Sequence, residues 1–442
     1  MSEQQQKGTN WVAVITMMFI YGMISFVTNL AAPMGNVWKY QPGIDGSNML
    51  GMMGNMMNFL AYVFMGIPAG RMLTNCGYKK TAMIGIATGF VGVLIQFLSG
   101  KIPFTDSAIV PFSVYLLGAF VCGFAVCMLN MVVNPMLNLL GGGGNRGNQL
   151  NMIGTTFNSL AGTATPVLVL SLIGEVSKTT KVADVNLVMY IALTVFAVAF
   201  AILAFIPIAN PEQGTTSEKI PVLSPLRFRH CLLGVVAIFM YVGVEVGIPG
   251  TMGLWLPAAN GPLVKAGIAN AATVTTGCVA VYWLLMLVGR TIGAFIGGKV
   301  SSRILMIVTT VAAMSLLLVG VLLPETVTVS MPVIDVAHLK CWMATVPMTA
   351  LLFALCGLCT SIMWPSTFNL ATEKLGKYTA AASGLFMVMV VGGGVLPLIQ
   401  NGIADKAGFM IAYIVPIFGL AYMFIYSAFL SKPPKNIDEL VK

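Results

Sequence analysis

The sequence predicts an all-α integral membrane protein, with twelve transmembrane helices arranged as two pseudo-symmetric six-helix bundles. Three observations predict it. The chain of 442 residues is 57% hydrophobic and only 8% charged, against roughly 25% charged in soluble domains, and its mean hydropathy is +0.90. Its apolar residues gather into twelve runs long enough to cross a bilayer, each needing about 20 residues. The order of Pro, Gly and polar residues in the first six runs recurs in the last six.

The runs are 11–33, 48–70, 80–99, 108–138, 150–174, 186–209, 230–253, 271–298, 303–323, 342–370, 379–402 and 408–431. They are read as helices because lipid offers no partner to a bare backbone and the alternation of a β-barrel is absent. The first run is too long for a signal-peptide core and lacks a small-residue cleavage site, so it stays as a span. With both termini inside, sixteen of the 23 Lys and Arg residues fall on the inner side and seven on the outer. That bias predicts cytoplasmic termini in a bacterial inner membrane. The polar stretch 210–229 then divides the chain into an N-terminal bundle, 1–209, and a C-terminal bundle, 230–442.

The repeat is legible at particular residues. Pro135 and Pro166 correspond to Pro365 and Pro397, Gly70-Arg71 to Gly289-Arg290, and Tyr21 with Gly22 to Tyr241 with Gly243. Parallel halves of this kind imply a substrate site between the bundles near mid-membrane and alternating access around it.

The net charge of +9 carries no basic stripe or interleaved aromatics, so it is read as topology and contact with anionic membrane lipid, with no nucleic acid partner. Among eight cysteines, Cys356 and Cys359 form a CxxC without a second pair or a His cluster. They are read as small residues at helix contacts, and no metal or other cofactor is expected. Gly141 to Gly144 lacks the GK[ST] of a phosphate cradle, so transport is secondary, driven by a gradient or by substrate alone. No cluster of catalytic groups marks an enzyme, and no loop or tail is long enough for a sensor's output domain. A monomer is expected.

Ionisable groups inside a membrane are functional candidates by default. Thirteen of the fourteen acids fall in loops or tails; Glu245 sits mid-span in YVGVEVGIPG. A carboxyl in low dielectric can exchange a proton near neutral pH and accept hydrogen bonds from hydroxyls. Arg290 is read as an anchor at the cytoplasmic end of its span and not as a ligand. Amides form the other theme: Asn29, Asn55, Asn58, Asn130, Asn134, Asn158 and Asn369 lie within spans. Uncharged donors and acceptors suit a neutral polyhydroxylated ligand, and Trp283 and Trp364 suit the apolar face of a sugar ring. Glue between helices is the competing role for each amide.

Asn134-Pro135 with its following Leu-Gly, then LNMIGTTFNSLAG, resembles the fucose:proton symporter family of the major facilitator superfamily. GIPAGRM, YVGVEVGI, SIMWPSTFNLATEKLG and VVGGGVLPLIQNGIAD are similar to it as well, so the resemblance covers nearly the whole chain. It implies the major facilitator fold and uptake of a hexose, deoxyhexose or amino sugar, usually with protons. The family's acid of helix 1 falls near Asn29, and the glutamate preceding its Asn-Pro pair falls on Asn130. Its helix-5 amides fall on Thr155 and Asn158, and Glu245 matches a span-7 position often polar or acidic in relatives. With neutral groups at both N-terminal acid positions, either Glu245 carries the proton, or another ion such as sodium couples transport, or the protein is a sugar facilitator. Sugar acids such as sialic or uronic acid are the alternative substrates, needing a cation that faces the cavity.

Overall fold

The computed structural model describes residues 11–44, 46–140, 144–174, 176, 180–206, 221–268, 270–296, 300–335, 340–375 and 378–434. The N-terminal half holds α1 (Trp11–Lys39), the short α2 (Asn48–Gly51), α3 (Met53–Ser99), α4 (Ile109–Leu140), α5 (Gly144–Ile173) and α6 (Asn186–Phe205). The C-terminal half holds α7 (Arg229–Trp255), the short α8 (Pro262–Lys265), α9 (Ala271–Ile296), α10 (Ser302–Leu322) and a hairpin of β1 (Thr328–Asp335) and β2 (Lys340–Pro347). It continues with α11 (Met348–Thr360), α12 (Met363–Thr372), α13 (Thr379–Met389), α14 (Gly392–Ala407), α15 (Phe409–Ala412) and α16 (Ile414–Ile425).

Among the described residues, 11 helical stretches are long and apolar enough to cross a membrane. The twelfth pass is the first part of α3, which Asn55, Asn58 and Arg71 make more polar. It runs to a break at Gly77, where φ of 79° and ψ of 172° are open to glycine alone among ordinary residues. The second pass therefore continues past the expected end at residue 70, with almost no loop before the third. Lys79, just after the break, donates to the carbonyls of Ala204 and Ile206 at 2.9 Å each and so closes the end of α6.

Three other expectations shift. α5 begins at Gly144 rather than 150, because the polar GNRGNQ stretch is helical. The tenth pass begins at Met348, since 342–347, read as its start, belongs to the second strand of the antiparallel hairpin, Lys340–Pro347. The tenth and eleventh passes are each interrupted, between α11 and α12 and between α13 and α14. Of the expected linker, 210–220 lies outside the described residues, and Ser224–Arg227 form one 3-10 turn leading into α7.

The bundles pack by close approach. A Cβ on Gly92 of α3 would meet the Cys122 nitrogen at 2.7 Å, and one on Gly118 of α4 would meet the Gly92 carbonyl at 2.8 Å, so two bare backbones fit where larger residues could not. Trp38, Tyr115, Tyr241, Tyr282 and Tyr413 fill the interiors, while Phe205, Leu322 and Phe429 stand exposed on the outer surface, as lipid-facing side chains do. The halves meet where α2, α3 and α5 pack against α13, α14 and α9.

Candidate functional site

A cavity of about 1700 Å³ lies between the halves. α1, α3, α4 and α5 line it on one side, and α7, α9, α12 and α13 on the other. The residues paired by the internal repeat meet here: Tyr21 and Tyr241, and Arg71 and Arg290, all line it.

The N-terminal wall is a connected set of amides and phenols. The Tyr21 hydroxyl donates to Asn134 Oδ1. Asn134 donates back to the Asn130 carbonyl at 2.9 Å, and Asn130 Nδ2 donates to the Tyr62 hydroxyl at 2.9 Å. Asn158 reaches the Tyr21 carbonyl at 3.4 Å, and Asn29 bonds Ser25 one turn earlier on its own helix at 2.9 and 3.1 Å. Four passes thus share one polar surface whose bonds hold each amide in place and leave its spare donors and acceptors to a ligand.

The C-terminal wall supplies rings and one ion pair. Trp364 of α12 stands 6.0 Å from the Tyr241 ring, and Trp283 of α9 stands edge-on to Tyr282 at 5.5 Å. Asn369 is exposed to the cavity, one helical turn beyond Pro365. Glu245 is the one carboxylate among the described cavity-lining residues. Its Oε1 accepts from Arg290 Nη2 at 3.3 Å.

Arg290 corrects the sequence reading. It lies inside α9, six residues before its end, and points into the cavity. Besides Glu245 it donates to Ser159 Oγ at 2.7 Å and the Thr155 carbonyl at 3.2 Å, both on α5 in the opposite half. Glu245 is therefore not a lone carboxyl, and Arg290 does not belong with the inner-loop cations.

Ten of the eleven residues singled out from the sequence line this cavity: Asn29, Asn55, Asn130, Asn134, Thr155, Asn158, Glu245, Trp283, Trp364 and Asn369. Asn55 is also committed to the seam, its amide donating to the Gly393 carbonyl across the halves at 2.9 Å. Asn58 is the exception. Three residues along α3 is an offset of about 60°, which turns Asn58 toward α4 and a small void shared with Gln96, Tyr115 and Cys122. Tyr62, Tyr241 and Arg290 are wall residues that sequence reasoning left out. The expected span 271–298 enclosed Arg290, but its partners on α5 lie far from it in sequence.

No group of His, Cys, Asp or Glu among the described residues is arranged to hold a metal. The wall presents amide donors and acceptors, two tryptophan rings and one carboxylate paired with Arg290.

The family model described as Major Facilitator Superfamily matches residues 11–337. The chain is 27% identical over 439 residues to a protein of Brucella abortus named glucose/galactose transporter, covering 98% of this chain and 96% of the relative. It is 26% identical to a putative glucose/galactose transporter of Helicobacter pylori, covering 95% and 96%. It is 23% identical to the L-fucose-proton symporter of Escherichia coli, covering 86% and 84%. The crystal structure of that fucose:proton symporter superposes with a TM-score of 0.67 at 18% identity, covering 96% of this chain and all of that one.

Proposed function

We propose, from the premise that the chain belongs to the Major Facilitator Superfamily and is a multi-pass membrane transporter rather than an enzyme, that it carries a monosaccharide by alternating access in symport with protons. The observation that carries this reading is the composition of the cavity wall. Amides from α1, α4 and α5 face tryptophans from α9 and α12, with one carboxylate among the described lining residues. Neutral donors and acceptors on one side and ring faces on the other match the two faces of a pyranose. The names borne by similar chains, glucose/galactose transporter and L-fucose-proton symporter, support the same substrate class.

The proton route is assigned to Glu245. Asn29 and Asn130 cannot titrate, so a proton that travels with sugar through the described cavity has one carboxylate to use. The inner membrane, cytoplasmic termini, bundles meeting across 210–229 and a monomeric carrier complete the reading. Uptake by the purified protein in proteoliposomes tests it, with labelled glucose, galactose, fucose and N-acetylglucosamine under proton and sodium gradients. Concentrative uptake of one of them driven by an inward proton gradient supports it. Uptake driven by sodium alone, or by neither ion, removes the proton symport.

A second reading, transport of a sugar acid, is favoured by one observation: Arg290 faces the cavity. Its charge is already matched by Glu245 at 3.3 Å, which weighs toward a neutral sugar. Competition by uronic and sialic acids against the transported hexose separates the two.

A further inference from the structure

Arg290 is the one described residue whose side chain bonds the partly buried carboxylate of its own half and the backbone and hydroxyl of the other half. We infer that Arg290 is the coupling residue of the transport cycle: it lets the empty carrier close only when Glu245 is ionised and paired with it, and it hands α5 to α9 when the cavity seals. This rests on the proton-symport reading and adds the residue that enforces it.

Closing a cavity around a single unpaired charge is costly, whereas an ion pair with its remaining donors satisfied closes as a neutral unit. Here the guanidinium spends Nη2 on Glu245 and Nη1 on Ser159 and Thr155, at distances of 3.3, 2.7 and 3.2 Å. The Glu245 and Arg290 side chains are only 15% and 21% exposed. When a proton sits on Glu245, the guanidinium loses its counter-charge, and the empty cavity resists closing. A bound sugar replaces water around the pair and offers hydroxyl acceptors to the freed Nη2, so the loaded, protonated form can close. After release, the proton leaves Glu245 for cavity water, the pair re-forms, and the empty carrier returns. The other titratable groups facing this pair are phenols: Tyr241 and Tyr282 from the C-terminal half and Tyr21 from α1. Tyr282 donates to the Glu245 carbonyl at 3.1 Å, so beside the carboxylate itself stand the Arg290 guanidinium and the Tyr241 phenol.

The rule makes a paired prediction. Glu245→Gln and Arg290→Gln each leave a charge without its partner, so each slows net downhill sugar influx into proteoliposomes by about tenfold or more. The double variant is neutral. It regains influx to within about threefold of wild type, and its influx no longer changes with pH. Ser159→Ala keeps the pair, so its pH profile stays that of wild type while its influx falls by about threefold for the lost α5 bond. Arg290→Gln with wild-type influx and a wild-type pH profile overturns the inference, as does a well-folded double variant no faster than either single one. Thermal unfolding in detergent gives a readout that needs no sugar: each single variant melts about 2–4 °C lower and the double recovers. Should wild type carry no monosaccharide, the function reading falls alone. A double variant that melts no higher than the singles then overturns the pairing itself.

Discussion

Asp405 and Asn48, 357 positions apart, are joined twice: the Asp405 carboxylate accepts the Asn48 backbone N–H at 3.0 Å and its side-chain amide at 2.6 Å. Ser47 Oγ and the Met49 N–H add bonds of 2.9 Å each to the same carboxylate. Asp405 lies in the last turn of α14 and Ser47 caps α2, so the two halves are latched at the end of the bundle opposite Trp11, the start of α1. Asp405 itself is exposed, although Asn48 is buried, and that exposure limits the latch to roughly 1 kcal/mol, about fivefold in a population.

Asp405→Ala is therefore expected to open that end. In a background lacking the exposed Cys76 and Cys341, a cysteine at buried Met52, which faces Gly250 across the seam, is predicted to react about fivefold faster with an impermeant maleimide. Unchanged labelling would show that the latch holds nothing.

Gly392 and Gly394 are two residues apart and answer to different partners. A Cβ on Gly392 would lie 2.0 Å from the Phe239 carbonyl, inside its own half, whereas one on Gly394 would lie 3.0 Å from Met56 Cα, in the other half. Gly392→Ala should cripple folding and yield little monodisperse protein. Gly394→Ala should fold and bind sugar but cycle several-fold more slowly, because only the closed packing of α14 on α3 is obstructed. Equal yields and equal turnover of the two variants would refute the distinction.

Asn158 and Asn58 separate the cavity from the bundle interior in the same way. Asn158→Ala removes a cavity amide and is predicted to raise the KM for sugar by about tenfold, the worth of one good hydrogen bond, with little change in melting temperature. Asn58→Ala removes a buried polar group that faces α4 and is predicted to shift the melting temperature while KM stays put. Measuring KM and thermal unfolding on both variants decides the matter.

Most of the architecture was legible because lipid leaves few options. An apolar run of about 20 residues must be helical, so the passes could be counted from composition, and Pro and Gly repeats exposed the two halves. What misled was apolar sequence that is not membrane helix. The stretch 342–347 reads as the start of the tenth pass, yet the strand it belongs to, Lys340–Pro347, pairs with Thr328–Asp335 in a hairpin. The cavity amides were legible by type, since Asn is costly in lipid and stands out. Which wall each one faces depends on helix rotation, and Asn58 shows the error a 60° offset makes. Arg290 was missed for a different reason. Its partners Thr155 and Ser159 lie 135 and 131 positions away, and nothing local to Gly289-Arg290 announces that α5 waits across the cavity.

The proton proposed to move with sugar on Glu245 is read out by adding the transported sugar to lightly buffered proteoliposomes and recording external pH. Wild type is predicted to alkalinise the medium in step with sugar entry, and Glu245→Gln to leave it flat while still binding the sugar. An alkalinisation of the same size from Glu245→Gln would contradict the account.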